Sequence, residues 1–197
     1  MADLLILYYS RYGATKQMAE QISRGVEMVA GANAIIRTVP PVSTTCEATE
    51  DTIPKEGHPY VTVDEVRAAD GLILGSPTRF GNMAAPLKYF IDSLSSLWLS
   101  GALVGKPAGV FTSTSSMHGG QETTLISMML PLIHLGMMIV GAPYSIPELA
   151  STMSGGTPYG PSHTAGVESK NPLSDDEIKI AQGFGKHVAE IVVKLQN

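Results

Sequence analysis

The sequence predicts an α/β protein: a doubly wound, five-stranded parallel sheet with strand order 2-1-3-4-5 and helices on both faces. Short apolar runs of strand length alternate with stretches at helical spacing, and that alternation implies parallel strands joined by right-handed crossovers. Three loops that follow strands are rich in Gly, Ser and Thr, and in such sheets ligands gather at the carboxyl ends of the strands.

The first strand is Leu4 to Tyr9, an unbroken apolar run that suits burial on both faces. It stops at Ser10-Arg11-Tyr12-Gly13-Ala14-Thr15, and a helix follows with Met18, Ile22, Val26 and Val29 on one face. The free N–H groups and positive dipole end of that helix make the turn an anion site. An ordinary turn capped by Thr15 fits the same residues. The turn is neither G-x-x-x-x-G-K-[ST] nor G-x-G-x-x-G, which disfavours a nucleoside triphosphate or a dinucleotide there and suits a terminal monophosphate.

Ala34 to Val39 reads as the second strand, stopped by Pro40-Pro41. Val42 to Tyr60 is a polar insertion containing Cys46, the sole cysteine, which excludes an intramolecular disulfide. Thr62-Val63-Asp64-Glu65 forms a capping box that opens a short helix through Ala69. Gly71 to Gly75 is the third strand, ending in Ser76-Pro77-Thr78-Arg79-Phe80-Gly81-Asn82-Met83. One helix is expected from Ala85 to Trp98, with Pro86 in its first turn and Trp98 on its apolar face. Ala108 to Thr112 is the fourth strand, followed by Ser113-Thr114-Ser115-Ser116-Met117-His118-Gly119-Gly120. The helix from Gln121 carries Pro131, where a kink or break is expected. Met137 to Val140 is the fifth strand. Ala142 to Pro172 is a long excursion rich in Pro, Gly, Ser and Thr. A second capping box, Ser174 to Glu177, opens a last helix with Ile178, Ala181, Phe184, Val188, Ile191 and Leu195 on one face.

The whole chain of 197 residues reads as a single domain. Its net charge of -5 leaves no electrostatic footprint for nucleic acid. Residues 125–142 contain no Lys, Arg, Asp or Glu and reach the spanning length of roughly 18 residues. Pro131, His134 and Gly136 instead divide them into a helix and a strand, so no integral membrane segment is expected. The amino terminus shows no basic leader, and no secretion signal is read. Arg79 is a cation on a Gly- and Pro-bearing loop at a strand end, a place with little structural need for it.

YYSRYGAT, GSPTRFGNM, LWLSGAL, TSSMHGGQE and GGTPYG, in that order, resemble the signatures of the WrbA-type flavodoxin-like NAD(P)H:quinone oxidoreductases from end to end. The resemblance implies bound FMN, NADH or NADPH as co-substrate, cytoplasmic location and a homotetramer. It also implies two-electron reduction of quinones to hydroquinones by ping-pong hydride transfer through the flavin, with no side-chain nucleophile. Ser10 to Thr15, with Arg11, Gly13 and Ala14 among them, match the FMN phosphate loop, and Tyr12 also matches a tyrosine at the nicotinamide dinucleotide site. Pro77, Thr78, Arg79 and Phe80 match one ring-contacting loop; Ser113, Thr114, Ser115, Ser116, Met117, His118 and Gly119 match the other. His134 matches a histidine near the flavin, and Trp98 matches the aromatic wall of the substrate site. Ser115 to His118 are bulkier than the Gly-rich pattern of that family. A one-electron carrier and a regulatory or interaction protein share the fold, but the two extra segments argue against a bare carrier.

Overall fold

The computed structural model describes residues 1–42 and 54–196. Six strands form one sheet: β1 (Ala2–Tyr8), β2 (Ala32–Thr38), β3 (Gly71–Pro77), β4 (Pro107–Thr114), β5 (Met138–Ile139) and β6 (Ser162–Thr164). The order is β2-β1-β3-β4-β5, as expected, with all pairings parallel and β6 added alongside β4. The helices are α1 (Ala14–Val26), α2 (Val63–Ala68), α3 (Ala85–Asp92), α4 (Ser95–Ser100), α5 (Gln121–His134), α6 (Glu148–Ser151) and α7 (Asp175–Gln196).

Side chains alternate across a strand, so the apolar run of β1 feeds both faces of the sheet. Leu4, Ile6 and Tyr8 join α1 and α7 in one core, whereas Leu5 and Leu7 join α3, α4 and α5 in the other. Burial of those five side chains, each nearly free of solvent, contributes roughly 1.5–3 kcal/mol apiece relative to exposure. The α1–α7 contact is close because two glycines meet it. A Cβ on Gly25 would lie 1.8 Å from the Gln182 carbonyl oxygen, and one on Gly185 would lie 2.2 Å from that of Ile22. Both capping boxes form. Thr62 Oγ1 accepts from the Glu65 N–H and Ser174 Oγ from the Glu177 N–H, while each glutamate carboxylate accepts from the cap backbone N–H in return.

Several elements differ from the sequence expectation. The helix expected over Ala85–Trp98 is two helices, because the Ser93 and Leu94 N–H groups bond three residues back to Phe90 and Ile91. Ser93 Oγ also donates to the Phe90 carbonyl at 2.6 Å, which reinforces that tighter turn. α5 runs on through Pro131, which sits in the last turn, and stops before Gly136 at φ 80. β5 is shorter than its apolar run, since only Met138 and Ile139 pair with β4. Thr112 to Thr114, further along that β4 edge, pair with β6, so the excursion after Ala142 is folded and contributes a strand the sequence did not show. In α7 the buried stripe runs through Ile180, Ala181, Phe184, Val188 and Val192, turned toward α1, and leaves Leu195 exposed and Ile178 half-buried. Val29 lies beyond the end of α1, still packed on the core. Most of the 42–60 insertion, including Cys46, falls on residues 43–53, outside the described residues.

Candidate active site

The carboxyl ends of β1, β3 and β4 open onto one crevice. It is lined by Ser10, Arg11, Tyr12, Ala14 and Thr15 after β1, by Pro77, Thr78 and Arg79 after β3, and by Ser113, Thr114 and Ser115 after β4. The second and third loops are stitched together. The Thr78 N–H donates to the Ser113 carbonyl at 2.9 Å, the Thr78 and Thr124 hydroxyls share a hydrogen bond of 2.7 Å, and Thr112 Oγ1 donates to the Ser76 carbonyl at 2.8 Å. These bonds fix the width between the second and third loops.

The first loop has the features of a phosphate cradle. Gly13, at φ 91, caps α1 in the left-handed region that glycine adopts without strain, and no side chain caps the helix there. Ser10 Oγ accepts from the Gly13 N–H at 3.1 Å, which curls the loop around the start of the helix. No acidic residue occupies the first turn of α1, so its N–H groups face a neutral to cationic rim. Thr15 Oγ1 is buried and has no hydrogen-bond partner among the described residues. A buried hydroxyl without a partner costs about 1–3 kcal/mol, and an anion at this helix start would satisfy it. The chain therefore fits the phosphate of a mononucleotide.

The tips of the loops after β3 and β4 are exposed. Phe80 has φ 53 and is fully exposed, held at the tip of a turn in which Arg79 and Asn82 exchange backbone hydrogen bonds of 2.7 and 3.0 Å. Ser116, Met117 and His118 are exposed, and with Gly119 they stand at the crevice rim without lining it. Trp98 and His134 lie elsewhere: they line a second cleft between α3, α4 and α5, with Lys88, Asp92 and Pro131, and that cleft shares no residue with the crevice.

The sequence missed the fourth wall, Ala165 and Ser169, which comes from the segment after β6. A buried polar network holds this wall. The Glu177 carboxylate accepts from the Gly155 and Thr164 N–H groups through one oxygen, and from the Ser174 N–H and His163 Nδ1 through the other, at 2.8 to 3.0 Å. Burial pushes the Glu177 carboxyl up, but the His163, Ser174 and Thr164 hydrogen bonds and the His163 charge outweigh that and hold it at about 2. His163 Nε2 faces the Asn171 carbonyl at 3.2 Å, and the Asn171 N–H donates to the Ala165 carbonyl. Gln121 ties the same strand to the third loop: its amide nitrogen donates to Thr114 and Thr164 hydroxyls, and its amide oxygen accepts from Ser162. The available signals were the capping box, which singles out Glu177, and a histidine standing in a polar excursion.

On the other side of the crevice the Tyr8 hydroxyl and His58 Nδ1 lie 3.1 Å apart, which anchors the segment entering α2 to the end of β1. Burial raises the Tyr8 hydroxyl and lowers the His58 imidazole relative to their ordinary values.

Among the described residues no helix is long and apolar enough to cross a membrane, and no group of His, Cys, Asp and Glu is placed to hold a metal ion.

Residues 5–150 match the family described as NADPH-dependent FMN reductase. A protein of Syntrophobacter fumaroxidans called NAD(P)H dehydrogenase (quinone) is 47% identical over 200 residues, covering 98% of both chains. One of Geobacter sulfurreducens with the same name is 41% identical over 205 residues, again covering 98% of both. Among solved structures, a flavodoxin, WrbA-like protein from Agrobacterium tumefaciens superposes with TM-score 0.67 at 24% identity, covering 98% of this chain and 99% of that one. An oxidised flavodoxin from Bacillus cereus does so with TM-score 0.63 at 19% identity, covering 96% and 99%. At those identities the two structures establish the flavodoxin-like fold alone.

Proposed function

This chain belongs to the NADPH-dependent FMN reductase family, and from that premise we propose that it is an FMN-dependent NAD(P)H:quinone oxidoreductase, working as a single flavodoxin-like domain. The observation that carries the cofactor assignment is the buried, unpartnered Thr15 hydroxyl at the start of α1, behind a glycine-capped loop. When bound, FMN supplies the two-electron chemistry that links oxidation of a reduced nicotinamide to reduction of a quinone.

The chain's own residues bind, orient and shield. Ser10, Arg11, Tyr12, Gly13, Ala14 and Thr15 hold the phosphate by hydroxyls, backbone N–H groups and the helix dipole. Pro77, Thr78 and Arg79 on one side, and Ser113, Thr114 and Ser115 on the other, hold the flat ring, with Phe80 and Ser116 to Gly119 at its rim. The Arg79 guanidinium favours negative charge at the polar edge of the ring by preorganisation. Tyr12, exposed at the rim, offers the nicotinamide dinucleotide an aromatic face. No side chain serves as a nucleophile.

Trp98 and His134 serve the quinone face when a neighbouring copy brings their cleft to the crevice, so their roles are tied to a homotetramer. Exposed Trp98, Leu99, Val104, Ile126, Leu130 and Ile133 on and beside α4 and α5 form an apolar surface that suits such contacts. The protein is assigned to the cytoplasm.

The test is direct. The purified protein should show flavin absorbance, and flavin released by heat should run as FMN. NADH oxidation by benzoquinone should give parallel initial-rate lines, as expected when the two substrates react in turn. Release of FAD, no flavin uptake by the apoprotein, or intersecting lines would contradict the proposal.

A further inference from the structure

We infer that a cationic groove beside the crevice takes a phosphate of the reduced nicotinamide dinucleotide, and that Lys88 is a residue there that sets the affinity for it. This rests on the proposed activity. The groove has a volume of about 520 Å³ and is lined by Tyr9, Arg11, Arg79, Asn82 and Lys88 together with the start of α3. Among its described lining residues three are cations and none is acidic, in a chain whose net charge is -5. A local positive field on an acidic protein selects anions.

Arg11 and Arg79 line both cavities, so the groove and the crevice meet at two guanidinium groups. Both groups are held before any ligand arrives. The Arg11 guanidinium lies 5.3 Å from the centre of the Tyr12 ring, and Arg79 Nη1 donates to the Thr78 carbonyl at 2.7 Å. Lys88 stands on α3, whose first turn carries no acid. Its ammonium bonds Asp92 at 2.6 Å, one turn further along the helix, and Asp92 does not line the groove. A dinucleotide whose nicotinamide reaches the flavin ring in the crevice must run its phosphates out past Arg11 and Arg79, and the groove is the cavity that adjoins there. Its cations suit a diphosphate or a ribose 2′-phosphate.

The experiment compares flavin-loaded wild type with Lys88→Gln, Lys88→Arg and the control Lys186→Gln, an exposed lysine on α7 lining a different cleft. KM for NADPH and NADH is measured at saturating benzoquinone. Binding of adenosine 2′,5′-bisphosphate to the oxidised holoenzyme is measured by calorimetry. Lys88→Gln should raise KM about fivefold at low salt with kcat unchanged, the upper range for a half-exposed charge pair. The unpaired Asp92 carboxylate then adds repulsion, and the loss should fade at high salt. Lys88→Arg should restore affinity, and Lys186→Gln should change nothing. A rise for NADPH alone places the 2′-phosphate in the groove; an equal rise for both places the diphosphate there. Unchanged KM for both, with unchanged bisphosphate affinity, would overturn the inference. If wild type oxidises neither dinucleotide, the proposed activity fails instead, and the bisphosphate titration of the two proteins still decides the groove.

Discussion

Replacing Thr15 by Val should move two quantities in opposite directions. Valine keeps the shape and β-branching of threonine and removes only the hydroxyl. That hydroxyl is buried, 1% exposed for the residue, and bonds nothing among the described residues. Removing it relieves a desolvation penalty of about 1–3 kcal/mol, so the apoprotein should resist urea better. In the holoprotein the same hydroxyl would donate to a charged phosphate oxygen, a bond worth about 1.5–3 kcal/mol. Its loss should weaken FMN binding by roughly ten- to 150-fold. The assays are urea unfolding of the flavin-free protein and fluorescence titration of apoprotein with FMN. If the valine variant binds FMN as wild type does, the phosphate is not at the start of α1. If it weakens both the apoprotein and FMN binding, the hydroxyl has a structural partner and the cradle argument fails.

Further perturbations test other parts of the structure. Glu177 titrates at about 2 in the fold against an ordinary 4.5, so its contribution is complete above pH 4.5 and disappears as pH falls toward 2. The stability gap between wild type and Glu177→Gln, followed by urea unfolding, should narrow by about 3 kcal/mol over that interval; a constant gap would refute the assignment. Trp98→Ala should raise the quinone KM more than it weakens FMN binding, since Trp98 lies outside the crevice. If it changes neither quinone parameter while sedimentation shows the assembly dissociating, Trp98 is an interface residue. Gly75→Ala should destabilise by about 1–3 kcal/mol through overpacking, because the new Cβ would sit 2.0 Å from Cζ of Phe111; an unchanged thermal midpoint would show that the ring moves aside freely.

Much of the fold is legible in the sequence because its signals are local. β1 to β4 each carry a short apolar run, and both capping boxes announce their helices. The break between α3 and α4 was not legible, since it comes from a hydroxyl competing for a backbone carbonyl within an otherwise helical stretch. β6 was hidden for another reason. Ser162, His163 and Thr164 are polar, and the burial of Ser162 and His163 is tolerated because Gln121 and Glu177, on other elements, satisfy the strand. The loops after β1, β3 and β4 were readable from composition. Their fourth wall was not, because Ala165 and Ser169 reach the crevice through that same buried network.

The divided edge of β4 also bears on how such a chain can change length. Ile139 pairs with Ala108 and Ser162 with Thr112, so the segment between β5 and β6 leaves and rejoins the sheet only about 13 Å apart along one strand, at 3.3 Å per residue. The entropy of closing a loop grows only with the logarithm of its length, about 0.6 kcal/mol for each doubling. Segments of very different length can therefore span the same two anchors at little energetic expense, provided the bonds of β6 survive. The enzyme's outer surface can diversify between Ile146 and Gly155, which are themselves held by the core and by Glu177, while the strand that delivers Ala165 and Ser169 to the crevice keeps its register.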